Sequence, residues 1–298
     1  MAKESFYDAI SSNKRNSVFL ILLIFAVFFG LAWAISMAFQ PGYFFVIMSL
    51  SIFISIIYIL GTYYNCDKIA LWSVSAKPAD ARFKHQQNMV EGLAIAAGIP
   101  APRLFIMQNE QINAFASGRD PKHAVICLTT AACEKLKDTE LEGVIAHEMA
   151  HIKNFDVRFM TLVAVMVGAI AIFSEMFLRS LWYGGGSRDS DNGKGNAIFF
   201  LIAILLAIIA PLIVKIVQLS ISRKREYLAD SSSVQFTRYP VGLISALKKI
   251  NAVNKPVKVT SAMQPLFFAE TWPEKTQSMF STHPPISARI RALKEIGG

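Results

Sequence analysis

The hydrophobic and polar positions of this chain sort into four long apolar runs separated by stretches of mixed pattern. The first, SVFLILLIFAVFFGLAWAISMAF at 17–39, carries no charge and is long enough to cross a hydrocarbon core of ~30 Å as a helix. The second, YFFVIMSLSIFISIIYIL at 43–60, follows after only Gln40, Pro41 and Gly42, so the two form a tight antiparallel hairpin. The third (159–174) stops at Glu175 and Arg179, and the fourth (197–214) contains Pro211 and runs into Lys215. Four membrane-spanning helices are expected, the second pair also fitting a shallow or tilted hairpin. A cleaved secretory signal does not fit the first run, which is too long and is followed at once by another span.

Outside these runs the pattern is amphipathic. ADARFKHQQNMVEGLAIAAGI (79–99) predicts a helix with an apolar face from Met89, Val90, Leu93 and Ala96 or Ala97. Residues 102–108 and 123–129 are β-rich and bounded by turn signals, among them GRDP at 118–121. Between them INAFASG (112–118) alternates weakly and predicts an exposed edge strand. Thr139 with Glu142 three residues on is a capping-box pattern that opens a helix there. Further amphipathic helices are expected at 240–253 and 287–296.

The expected fold class is α+β: a mostly helical integral membrane protein with about four transmembrane helices and a cytoplasmic domain holding a small β-sheet. Residues 1–60 form a two-span hairpin and 61–158 the first half of the soluble domain. Residues 159–218 form a second hairpin with an external loop at 183–196, and 219–298 form the second half. Because both hairpins return to the same side, the two halves can pack as one domain.

Composition supports the membrane reading. Of 298 residues 53% are hydrophobic and 17% charged, against about a quarter charged in an ordinary soluble chain. The net charge of +9 is concentrated at Lys3, Lys14 and Arg15, in the eleven Lys or Arg of 67–158, and in SRKRE at 222–226. The positive-inside rule therefore puts both termini and both soluble halves in the cytoplasm, and anionic headgroups account for the basic bias. No nucleic-acid motif is present, and none is needed. Cys66, Cys127 and Cys133 have no C-x-x-C spacing and fit a reducing compartment, with Cys127 a small core residue.

The chemistry lies in VIAHEMAHIKNFD at 144–156. His147 and His151 are four apart, so a helix turns both toward one ion, and Glu148 beside them reaches a metal-bound water without being a ligand. A catalytic zinc takes three protein ligands and keeps one position open. REYLAD (225–230) offers Glu226 as the third ligand, with Asp230 one turn on to accept a ligand histidine's free N–H. The same segment fits equally a solvated interfacial face with internal ion pairs. His85 and His123 have no comparable context.

HEMAH, EYLAD, NAFASG and STHPP (281–285), set among these apolar runs, resemble the HtpX family of bacterial membrane zinc metallopeptidases, thermolysin-like gluzincins related to the CAAX prenyl proteases. The resemblance implies one zinc per chain on His147, His151 and Glu226, with Glu148 as catalytic base. It implies a substrate cleft that includes Asn113, with Ala114, Phe115 and Ala116 as the strand on which an extended peptide adds, and His283 as a donor to the oxyanion. It further implies a multi-pass bacterial inner-membrane enzyme that hydrolyses misfolded or membrane-associated proteins in stress-related quality control. A membrane scaffold or chaperone-like protein with a structural zinc is the alternative. A transporter is disfavoured, because Glu175 is the only acidic residue within the spans and lies at a span end.

Overall fold

The computed structural model describes residues 44–160, 223–253 and 284–296, with isolated positions between 15 and 33 and between 201 and 205. Across them the chain is mostly helical, with one small mixed sheet. Helix α1 (Phe44–Ser73) begins with the second apolar run, and Val46, Leu50, Phe53, Ile54, Ile57 and Leu60 are exposed on one broad arc of it. Among the described residues no helix is long and apolar enough to cross a membrane. The other three expected spans lie almost wholly outside them.

The expected boundary at residue 60 falls inside α1. At Asn65 the backbone leaves helical geometry (φ −118°, ψ 19°), and its side-chain amide donates to the Gly61 carbonyl at 2.9 Å. Past that point Cys66, Ala70 and Leu71 are buried. Arg103 donates to Asp67 at 2.7 Å and Arg119 to the Tyr64 carbonyl at 3.2 Å, so the second part of α1 is pinned to the sheet.

That sheet has the order β1-β2-β4-β3, with β1 (Lys77–Pro78), β2 (Arg103–Met107), β3 (Ala114–Ser117) and β4 (Val125–Thr129). The β2–β4 pair is parallel, and the β1–β2 and β3–β4 pairs are antiparallel. Buried β4 is apolar on both faces apart from Thr129, as a central strand requires. His123 precedes it in a tight turn whose N–H groups bond to Asp120, so the strand opens at Val125. β3 ends the sheet as expected, but it is not exposed: all four of its residues are buried. The first part of the correction is α1, whose Cys66 carbonyl accepts from Ser117 Oγ at 3.5 Å; the second is the histidine helix packed across the strand.

Helix α2 (Lys84–Ala97) stops at Gly98, whose left-handed backbone (φ 69°) turns its own N–H and that of Ile99 back to Ile95 and Ala94. After short α3 (Thr130–Lys135) comes α4 (Asp138–Lys153), buried almost all round from Glu140 to Ile152. Its cap uses Glu140 rather than the Thr139–Glu142 pair. Glu140 accepts the Lys137 N–H at 2.8 Å, Ser245 Oγ at 2.6 Å and Lys249 Nζ at 2.6 Å. Around α4 pack α5 (Arg223–Thr237) and α6 (Pro240–Val253), and α7 (Ile286–Ile296) lies on both of these. Gly143 lets α6 approach so closely that a Cβ there would stand 2.7 Å from the Leu243 nitrogen, and Gly242 likewise faces the Thr139 carbonyl. One apolar core, among the described residues, draws on both 90–157 and 243–293.

Candidate metal centre

His147 and His151 face α5 from α4, and they and Glu148 are almost fully buried. Glu226 enters from the first turn of α5. The rings of His147 and His151 meet edge to face, with their Nε2 atoms 3.1 Å apart. The Glu226 carboxylate lies 3.7 Å from His147 Nε2 through one oxygen and 3.4 Å from His151 Nε2 through the other. Ligands held at 2.0–2.1 Å around a tetrahedral ion stand about 3.3–3.4 Å from one another. The three pairwise distances, 3.1, 3.4 and 3.7 Å, the last two to different oxygens of Glu226, bracket that spacing. Two imidazoles and a carboxylate are also the donor set that suits zinc. These residues could therefore hold the ion.

Each histidine is gripped from behind. His147 Nδ1 lies 2.9 Å from Asp230 Oδ1. His151 Nδ1 lies 3.0 Å from Asp156 Oδ2, a partner the sequence reading missed. Asp156 folds back because Phe155, just past the helix end, takes a left-handed backbone (φ 60°). Such geometry in a bulky residue costs about 1–2 kcal/mol and is retained here where it aims a carboxylate at the ligand. Beyond the two aspartates stand two arginines. Arg289 of α7 forks onto Asp230, and Arg225 Nε is 3.9 Å from Asp156 with its guanidinium 4.5 Å over the Phe159 ring.

The electrostatics split the histidines. Burial, with the nearby Arg289 charge, pushes His147 down to about 4 against the pull of Asp230. For His151 burial also acts downward, but hydrogen bonds and charge from Asp156 and Glu226 outweigh it and raise the group well above its usual value. His147 is thus a neutral imidazole whose Nδ1–H serves Asp230, leaving the Nε2 lone pair for the ion.

Asn113 is buried at the head of β3. Its N–H donates to Thr129 Oγ1 at 3.0 Å, and its carbonyl accepts from that hydroxyl and from the Thr129 N–H. Its side-chain oxygen accepts the Ala114 N–H at 2.9 Å. Ala114, Phe115 and Ala116 form the strand beside α4, with the Phe115 side chain fully buried. His283 lies outside the described residues. His85 and His123 sit at the surface beside Asp138 and Asp120.

Comparison with known proteins identifies the family. The model of peptidase family M48 matches residues 80–297. Proteins called Protease HtpX homolog are 42% identical in Caldanaerobacter subterraneus subsp. tengcongensis and 41% in Thermoanaerobacter pseudethanolicus, each match covering 99% of both chains. A third, from Streptococcus uberis, is 36% identical over 97% of this chain and 99% of its own. Among solved structures, S. mikatae Ste24p aligns with a TM-score of 0.49 at 18% identity, over 93% of this chain and 62% of its own, a likeness too distant to carry function across.

Proposed function

The chain belongs to peptidase family M48 and is a metalloprotease, and from that premise we propose that it is a zinc endopeptidase acting at the cytoplasmic face of a bacterial membrane. The observation that carries the site assignment is the triangle of His147, His151 and Glu226, whose spacing and donor types suit one zinc ion. Among the described residues three ligands converge there, the number a catalytic zinc takes from its protein. Zinc held there would acidify a bound water and polarise a peptide carbonyl.

The chain's own residues supply the rest. Glu148, next to His147 on α4, accepts the water's proton and returns it to the leaving amine. Asp230 and Asp156 keep both rings oriented, so that each presents Nε2 inward. Asn113, with its side-chain oxygen committed to Ala114, offers donor chemistry to a substrate carbonyl. Strand addition by an extended peptide at β3, tolerant of sequence and suited to unfolded substrates, would require the cover over its four buried residues to open. His283, immediately before Pro284 and the helix that delivers Arg289, is assigned the oxyanion contact.

The membrane assignment is supported by the four apolar runs, by the basic segments flanking them and by the exposed apolar arc of α1. In this reading the substrates are misfolded and membrane-associated proteins.

The test is cleavage of casein by the detergent-purified chain beside its Glu148→Gln variant, with zinc measured in both. Loss of cleavage with one zinc per chain retained is the expected result. Equal cleavage by the two removes Glu148 from the reaction.

A further inference from the structure

Helix α7 buries Ile286 and Leu293 on one face, and Arg289 falls on that same face. An arginine there is costly unless its donors are met. At 1% exposure it is the largest fully buried side chain among the described residues. Its guanidinium makes a two-bond fork onto Asp230, Nε to Oδ2 at 3.0 Å and NH2 to Oδ1 at 2.7 Å. NH1 stands 3.6 Å from Glu226 Oε2, and NH2 stands 3.3 Å from His147 Nδ1. The oxygen that faces His147 is therefore one of the two that the fork grips.

We infer that Arg289 is a positioning residue of the metal centre, its planar fork setting the rotation of Asp230 so that Oδ1 takes the His147 Nδ1–H and Nε2 points at the ion. The inference rests on the metal-centre reading above. Arg289 touches no reacting atom in it; it acts through Asp230. The fork matters more than the charge, since a bare cation at 3.3–3.6 Å from two ligands repels a second cation. Orientation and charge thus have opposite signs, and a substitution separates them. Lysine retains the charge but lacks the bidentate plane.

The experiment measures zinc affinity of the full chain in detergent by competition with a chromophoric chelator at one pH. It compares wild type, Arg289→Lys, Arg289→Met, Asp230→Asn and the Arg289→Lys/Asp230→Asn double variant. Circular dichroism of the metal-free proteins reports folding, and the absorption of bound cobalt reports ligand geometry. Arg289→Lys and Arg289→Met are each expected to weaken zinc by roughly 10–100-fold with helicity kept and the cobalt band altered. The double variant is expected to be no weaker than Asp230→Asn alone, because the two residues act as one unit. Wild-type affinity in Arg289→Lys, tighter binding in Arg289→Met, or additive losses in the double variant would each overturn the inference. Should Arg289→Met not fold, the lysine and double variants decide. Absence of zinc binding by wild type would instead strike the metal-centre reading, and this inference with it.

Discussion

The approach of α4 to α6 at Gly143 makes a sharp prediction, because the same chemical change elsewhere in the fold should have the opposite sign. An alanine at 143 would place its Cβ 2.7 Å from the Leu243 nitrogen, 2.9 Å from its Cα and 3.1 Å from its Cβ, where ordinary contact begins at 3.4 Å. Two of the three obstacles are backbone, so no rotamer change relieves them, and α6 must retreat by about 0.7 Å (3.4 less 2.7). Overpacking of this kind costs about 1–3 kcal/mol, and the better helix propensity of alanine returns up to ~1 kcal/mol. With the full return, net destabilisation of about 0–2 kcal/mol follows, against a gain at an unobstructed site. Gly92 on the exposed side of α2 is the control: nothing lies within 4 Å of a Cβ there. Gly92→Ala should therefore stabilise by roughly 0.5–1 kcal/mol. The assay is the denaturant midpoint of the two metal-free variants against wild type, with zinc affinity measured alongside because residue 143 stands one helical turn before His147. A Gly143→Ala protein as stable as Gly92→Ala would refute the packing argument.

Asp156→Asn keeps the size of the group behind His151 and removes its charge; zinc affinity should fall roughly 10–100-fold while Arg225 loses its carboxylate partner, and unchanged chelator competition would show that Asp156 does not orient the ring. For Glu140, burial acts to raise the carboxyl, but Lys249, Ser245 and the Lys137 N–H hold it below its usual value. Its stabilisation is then complete above the unfolded carboxylate range and is lost as pH falls through the lowered folded value. Glu140→Gln should flatten the acid limb of the stability–pH curve, and superimposable curves for variant and wild type would contradict that.

What was legible in the sequence was what local spacing encodes. His147 and His151 fall on one face because a helix repeats every 3.6 residues, and Glu226 and Asp230 share a face by the same rule. The β-rich run 123–129 held a strand, and Cys127 was a small core residue, both without tertiary information. The misses were made by distant partners. Asp156 was within the quoted motif stretch, but its return to His151 depends on a left-handed Phe155 that no glycine announces. Arg289 left one trace, a charge on the apolar stripe of ISARIRALKEI, and a separation of 59 positions from Asp230 hid the partner. Thr139 and Glu142 matched the capping pattern, yet Glu140 won because Ser245 and Lys249 from α6 meet it there. β3 looked exposed because short alternating strands usually have a wet face; here α1 and α4 cover it.

The centre draws its parts from stretches that the ribosome makes at quite different moments. From His147 to Arg289 is 142 residues, roughly 7–30 s of synthesis at 5–20 residues per second. For that interval the nascent protein owns two histidines without Glu226, then all three proposed ligands without the arginine behind Asp230. In the proposed reading the hydrolytic centre is thereby assembled on a delay, and the clock is the order of the residues themselves.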